Sequence, residues 1–362
     1  MRPSFGLVLA MTLAACSNGA SGGSPDPLDP DPPFTGDDGG TEGTGSDAGH
    51  DSGPGDDAGE VDPPPPDVPP EPPPPPPAFQ IASPIIDIAA GDEKTYCYYF
   101  RTPNTAELAI KQWSSHMTEG SVRMVMFRTQ GDEEDVGTLT ERNCGIKANG
   151  FTPVWTYATE SLDAEMVMPA DDGNGHPVGQ IIEANQSGFL MMQFHNTTSQ
   201  LIRVRVELSA HAYDDTAQVV PVAPFVAYNN RIDLPAASGP TTPSTGEVNG
   251  DCTVSKDVRF FHVSTHTQKQ AVYTSIKNGG ATVFDTTALG MPGRSWNAPP
   301  FLAFSTGALS YECEYENPNS YRIKTGDNAS RDEMCVAVGY YFPATDSSAG
   351  NGHYCLNSLK VY

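Results

Sequence analysis

Positive charge is nearly absent from the first 78 residues of this 362-residue chain, where Arg2 is the one Lys or Arg. From Ser17 to Ala78 no Lys or Arg stands against fourteen Asp and Glu, and there is little apolar material. Such a segment cannot bury enough surface to offset its ordering entropy, so residues 16–78 are predicted to form a disordered acidic linker. Its end, Pro63 to Pro66 and Pro69 to Pro77 interrupted by Glu71, should run as stiff polyproline II. Beyond it, no apolar stripe at helical spacing lasts three turns, which excludes bundles and α/β units. Beyond Ala78 no Gly-x-Ser-x-Gly, His-Glu-x-x-His or phosphate loop is present, so those hydrolase, metalloprotease and nucleotide-binding signatures are missing there. Cysteines in paired Cys-x-x-Cys spacing are also lacking, which excludes structural zinc knuckles. Residues 79–362 carry 31 acidic against 19 basic side chains, a net of about −12, and nucleic acid is an ill-matched partner for such a surface.

What is present begins with MRPSFGLVLAMTLAAC. Arg2, an apolar run from Phe5 to Ala15 and the box Leu13-Ala14-Ala15-Cys16 predict a lipoprotein signal over residues 1–15, with Cys16 lipidated after cleavage. The run is too short to span a bilayer as a helix. Ser17 after the cysteine resembles outer-membrane lipoproteins, so the expected location is exported and lipid-anchored at the outer membrane or cell surface. Lipid on Cys16 would be the contact with the membrane.

From Phe79 onward the periodicity is that of β-strands. Ile202, Val204, Val206 and Leu208 alternate with Arg203, Arg205 and Glu207, and similar runs occur at Thr95 to Phe100, Ser121 to Arg128, Phe189 to His195, Ala271 to Ile276, Leu309 to Tyr315 and Met334 to Phe342. Gly, Pro, Asn and Asp turns separate them. The expectation is an all-β protein of two tandem antiparallel, jelly-roll-like β-sandwiches, residues 79–220 and 251–362, with 221–250 between them. Six cysteines remain after Cys16, two in the first half and four in the second. An even number in an oxidising compartment predicts three disulfides. Asp171-Asp172-Gly173-Asn174-Gly175 has calcium-like spacing but no closing Glu, and reads as a turn.

Chemistry concentrates in FFHVSTHTQK, Phe260 to Lys269. As a strand it would put His262, Ser264, His266 and Gln268 on one face. Together with ASRDEMC at Ala329 to Cys335, FLMMQFHN at Phe189 to Asn196 and GSVRMVMF at Gly120 to Phe127, this segment resembles the copper type II, ascorbate-dependent monooxygenases, the family of peptidylglycine alpha-hydroxylating monooxygenase and dopamine beta-monooxygenase. Thr265-His266-Thr267-Gln268 is similar to the family's His-Thr-His strand. The resemblance implies two sandwiches, each presenting one copper across a cleft, with an ascorbate-like reductant feeding one copper and oxygen activated at the other. It also implies the pairs Cys97 with Cys144, Cys252 with Cys355 and Cys313 with Cys335. At the oxygen site it assigns His266 and Met334, with Gln268 in place of a second imidazole. Imidazoles suit both copper oxidation states and a thioether favours Cu(I). At the electron-transfer site it keeps His195, while the expected histidine pair reads Val122-Arg123. A guanidinium within about 4 Å of Cu(I) would cost about 4 kcal/mol at an effective dielectric of 20, so that site is predicted not to hold copper unless Arg123 turns away. His262 and His116 are the possible substitute ligands. Positions that grip a peptide carboxylate in the family fall on Ser264, Val336 and Val338, which do not favour such a substrate. The leading expectation is therefore a non-catalytic or weakly copper-binding surface lipoprotein, with a small molecule, peptide or protein ligand in the inter-domain cleft. The alternatives are an active hydroxylase of an aliphatic carbon and a purely structural lipoprotein.

Overall fold

Alternating burial organises the first half into two facing sheets. A computed structural model describes residues 76–141, 144, 153–216, 218–326, 328, 331–344 and 352–361; the signal at 1–15, Cys16 and the linker through Pro75 lie outside the described residues. Phe79–Ala82, Val206–Ala212, Leu108–Met117, Val178–Ile182 and Val220–Pro221 form one sheet in that order, with Asp163–Val167 also paired to Leu108–Met117. Leu139–Glu141, Glu93–Arg101, Ser187–His195, Ser121–Arg128 and Val154–Thr159 form the other. Inward side chains from both, among them Trp113, Leu208, Met124, Met126, Leu190, Met192 and Phe194, make one core. Trp113 Nε1 donates to Gln180 Oε1 at 2.7 Å, and Gln180 Nε2 donates to Thr156 O at 3.2 Å. A buried indole N–H and carboxamide are thereby satisfied between the sheets.

The second half repeats this plan with different strands. Gly293–Ser295, Arg259–His266, Cys335–Phe342, Ala223–Asn229, His353–Leu356 and Leu359–Lys360 form a six-stranded sheet; Ser244–Thr253, Ala308–Asn317, Ala271–Asn278 and Ala281–Thr286 form a four-stranded one. Phe225, Phe260, Tyr311 and Tyr315 fill the space between them. No sheet mixes described strands from before Pro221 with strands from after Ala223. Most of the segment 221–250 is itself sheet structure, since Ala223–Asn229 lies buried between Cys335–Phe342 and His353–Leu356.

The six-stranded sheet of the second half is covered on both faces. Ala337 and Tyr341 point into its own core, whereas Val336, Val338, Tyr340 and Phe342 join the core of the first half. Both-face burial is why CVAVGYYF reads as an unbroken apolar run rather than an alternating one. Trp155 N donates to Tyr354 Oη at 2.6 Å and Trp155 Nε1 to Tyr340 Oη at 3.1 Å, which ties the halves together.

Two local expectations change. The run Leu201 to Leu208 is two strands, Ile202–Val204 pairing with Ile86–Ile88 and Val206–Ala212 pairing with Leu108–Met117; alternation of burial continues through the break because each part turns its apolar side chains to the same core. The strand at Phe260 ends at His266, so Gln268 is not on it. Its backbone N–H is drawn off to Glu333 instead. All three cysteine pairs are disulfides: Cys97 with Cys144, Cys252 with Cys355 and Cys313 with Cys335.

Candidate functional site

Arg123 leaves its strand on the face opposite to Met124 and Met126, the core-facing residues. Its Nη1 donates to His266 Nε2 and lies 3.9 Å from Met334 Sδ. A guanidinium has no acceptor, so His266 Nε2 must be the bare ring nitrogen and Nδ1 carries the proton. That Nδ1 lies 2.8 Å from Glu160 Oε1. The result is a carboxylate, a neutral imidazole and a guanidinium in series, joining both halves of the molecule. Burial, then Arg123, holds the His266 pKa below the usual imidazole value, with Glu160 opposing.

Glu333 fixes the backbone around this series. It is fully buried, and its carboxylate accepts from Gln268 N at 3.0 Å, Gln270 N at 2.7 Å and Met334 N at 3.1 Å. Burial raises its pKa to about 7 although the three N–H groups pull the other way. Cys335, held by the disulfide to Cys313, fixes the chain on the other side of Met334.

Of the expected ligands, the structure brings together His266 and Met334, and adds Arg123. Gln268 is not brought to them: its Nε2 donates to Gly326 O at 3.2 Å. His195 pairs across the sheet with Glu93, and no side-chain hydrogen bond joins it to Arg123 or His266 among the described residues. Val122 lies at a bulge, skipped in the pairing that sets Arg123 opposite Gln193. His116 is on the surface, with Nδ1 at 2.7 Å from Asp163. His262 Nδ1 bonds Ser295 Oγ at 2.8 Å, and burial lowers its pKa to about 4. Neither possible substitute contacts Met334. The donors around His266 do not fit copper, because its free nitrogen and the thioether both face a cation that the protein supplies.

Beside the series lies a cavity of about 590 Å³ between the halves, lined by Tyr157, Glu160, Phe261, His262, Ser264 and Tyr340 among others. Ser264 is 1% exposed, yet its Oγ has no hydrogen-bond partner among the described residues. A Cβ at Gly293 would lie 2.8 Å from His262 Cε1 and 2.9 Å from Ser264 Cβ, so a larger residue there would crowd the cavity wall. Glu160 and Glu333 were not singled out in the sequence. Glu333 sits inside the Asp-Glu-Met-Cys segment and was the more discoverable; Glu160 follows a strand end and carries no local signal.

Two other groups resolve differently. Asp171 and Asp172 accept backbone N–H groups from Gly173, Asn174, Gly175 and His176, the self-closed turn predicted for them. Cys252, His353 and Cys355 have ligand atoms within 4.8 Å of one another, a composition able to hold a metal ion. Cys252 and Cys355 are bonded to each other, and only the thiolates of a reduced pair would be metal ligands.

The fold and this site define an all-β, two-sandwich protein with an arginine seated between a histidine and a methionine. No protein-family model matches the chain, and no curated protein matches it. Among solved structures, one of infectious bursal disease virus, Gx strain, aligns over 75% of this chain and 74% of that one at 10% identity and a TM-score of 0.14. At that score the alignment carries no argument.

Proposed function

We propose that this chain is a surface lipoprotein of copper-monooxygenase ancestry in which arginine has taken the place of copper, leaving a non-catalytic protein that binds a ligand in the cleft between its halves. One observation carries the reading: Arg123 Nη1 engages both His266 Nε2 and Met334 Sδ, the atoms that the resemblance assigns to the metal. A copper ion would have to displace a buried guanidinium that donates to His266 Nε2, the ring whose Nδ1 lies 2.8 Å from Glu160 Oε1. The cavity beside it supports the binding role, with aromatic walls from Tyr157, Phe261 and Tyr340. The neutral His262 adds a group able to donate or accept.

The test is a competition titration of reduced protein against a Cu(I) chelator. Wild type should take up no copper at His266. Arg123→Ala should raise Cu(I) affinity at least tenfold, about 1.4 kcal/mol, and His266→Ala in that background should remove the gain. Two coppers bound tightly by wild type would overturn the proposal in favour of the hydroxylase. For the anchor, Cys16→Ala should move the protein to the soluble fraction; retention in membranes after a salt wash would remove the lipoprotein part.

A further inference from the structure

Among the described residues, Asp163–Val167 pairs on one side only, with Leu108–Met117. Met117 N donates to Leu162 O at 2.7 Å and Met168 N to Lys111 O at 2.8 Å. In an antiparallel ladder of that register the even-numbered residues bond inward, so the N–H and C=O groups of Asp163, Glu165 and Val167 face away from the sheet. The same three residues are exposed, whereas Met166 packs on the core and Ala164 shares its face. The cavity between the halves runs along this edge: Glu165, Met166 and Val167 line it together with Phe261 and Tyr340. Val167 is 52% exposed and Leu289, also in the lining, 54%, which leaves the mouth apolar. The lining holds two carboxylates, Glu160 and Glu165, and no Lys or Arg among the described residues. Asp163 is shared with His116 at 2.7 Å, while Glu165 has no ion-pair partner among the described residues.

An open sheet edge is a template for one more strand. Side chains of an added strand would alternate between the two faces. Those across from Asp163 and Glu165 would lie within cross-strand reach of the carboxylates, where an opposite charge stabilises and a like charge does not. Those across from Ala164 and Met166 would fall on the inner face, the side of the cavity. We infer that this edge docks an extended segment of a partner protein in which Lys or Arg alternates with apolar residues, the cations against Asp163 and Glu165 and the apolar side chains in the cavity. The inference rests on the reading of the cleft as a binding site and gives its occupant a chemistry. Two other occupants are disfavoured by charge. The chain's own stretch from Ser17 to Ala78 has fourteen Asp and Glu and no Lys or Arg, and a second copy paired antiparallel about Glu165 would set that carboxylate against itself.

The test is fluorescence anisotropy of the mature chain with a labelled heptapeptide of alternating Lys and Val, amidated at its C-terminus so that it carries no carboxylate. Wild type should bind it at least about tenfold more tightly than the same peptide with Glu in place of Lys. N-methylation of the peptide amides removes the donors that pair with an edge, and should also weaken binding at least about tenfold. Glu165→Lys, a change at an exposed position, should reverse the preference between the two peptides. Equal binding of the Lys and Glu peptides by wild type would overturn the inference, as would undiminished binding of the N-methylated peptide or an unchanged preference in Glu165→Lys. The copper titration decides the parent reading separately. A wild type that takes up neither copper nor peptide loses the docking edge and keeps arginine in the place of copper; one that binds two coppers tightly and also prefers the Lys peptide does the reverse.

Discussion

Arg123 and Arg128 lie five positions apart on one strand, both buried, on opposite faces of the same sheet. Arg123 has a neutral imidazole against it, and a carboxylate lies 2.8 Å from that ring's other nitrogen. Arg128 has a single carbonyl as its hydrogen-bond partner among the described residues, and Tyr354 and then Glu183 act on it through charge. The difference shows that burial alone does not say what a cation is for.

The largest expected effect comes from unbalancing Arg123. Glu160→Gln removes the carboxylate at His266 Nδ1, on the far side of the ring that faces Arg123, and should cost about 3 kcal/mol in denaturant unfolding. Glu160→Gln with Arg123→Met should recover at least half of that. Simple additivity of the two losses would mean that the residues do not act as a pair.

Acid should act through the buried histidines. His262 and His353 have pKa values lowered by burial to about 4, and His266 is lowered as well. These rings are neutral when folded but protonate near 6.5 when unfolded, so the stability they contribute is present above 6.5 and is lost as pH falls toward 4. Glu333, raised to about 7, acts in the opposite sense: its contribution is full below its unfolded value and is lost as pH rises through about 7. With two strongly shifted histidines against one such glutamate, the net loss from pH 7 to pH 4 should be about 3 kcal/mol. Calorimetry showing constant or rising stability over that window would contradict the burial of these rings.

Smaller again is Arg128→Met in chloride buffer. It removes a buried cation but leaves Ile181 O without its donor, two opposed effects that should leave stability changed by about 1 kcal/mol or less. A loss of several kcal/mol would mean that the charge of Arg128 is well compensated in the fold. The smallest effect is expected at Arg322, exposed and paired with Asp233, where substitution by Ala should leave the melting temperature unchanged within error.

Much of the architecture was legible beforehand because strands announce themselves locally. Period-two alternation marked Ser121–Arg128 and most of Glu93–Arg101 and Ser187–His195. The disulfide pairs came from the resemblance; cysteine spacing alone left them open. The site was only half legible. His266 and Met334 could be put together in advance, yet Arg123 was expected beside His195, and its partner proved to be 143 residues away on the other half. Gln268 looked like a face-sharing neighbour of His266 until the strand ended one turn of the pattern early, where Glu333 captures the backbone.

The chain's own order of residues determined the acidic stretch without Lys or Arg from Ser17 to Ala78, the all-β periodicity and the inventory of imidazoles, thioethers and guanidinium groups. Each depends on composition or on neighbours a few positions apart. Only tertiary structure decided which charge meets which nitrogen. Arg123 and His266 meet because two separately formed sheets dock, and Glu160 completes the series from a third strand end. Whether a buried guanidinium is balanced depends on atoms brought within about 3 Å from distant parts of the chain, a distance that no local spacing encodes.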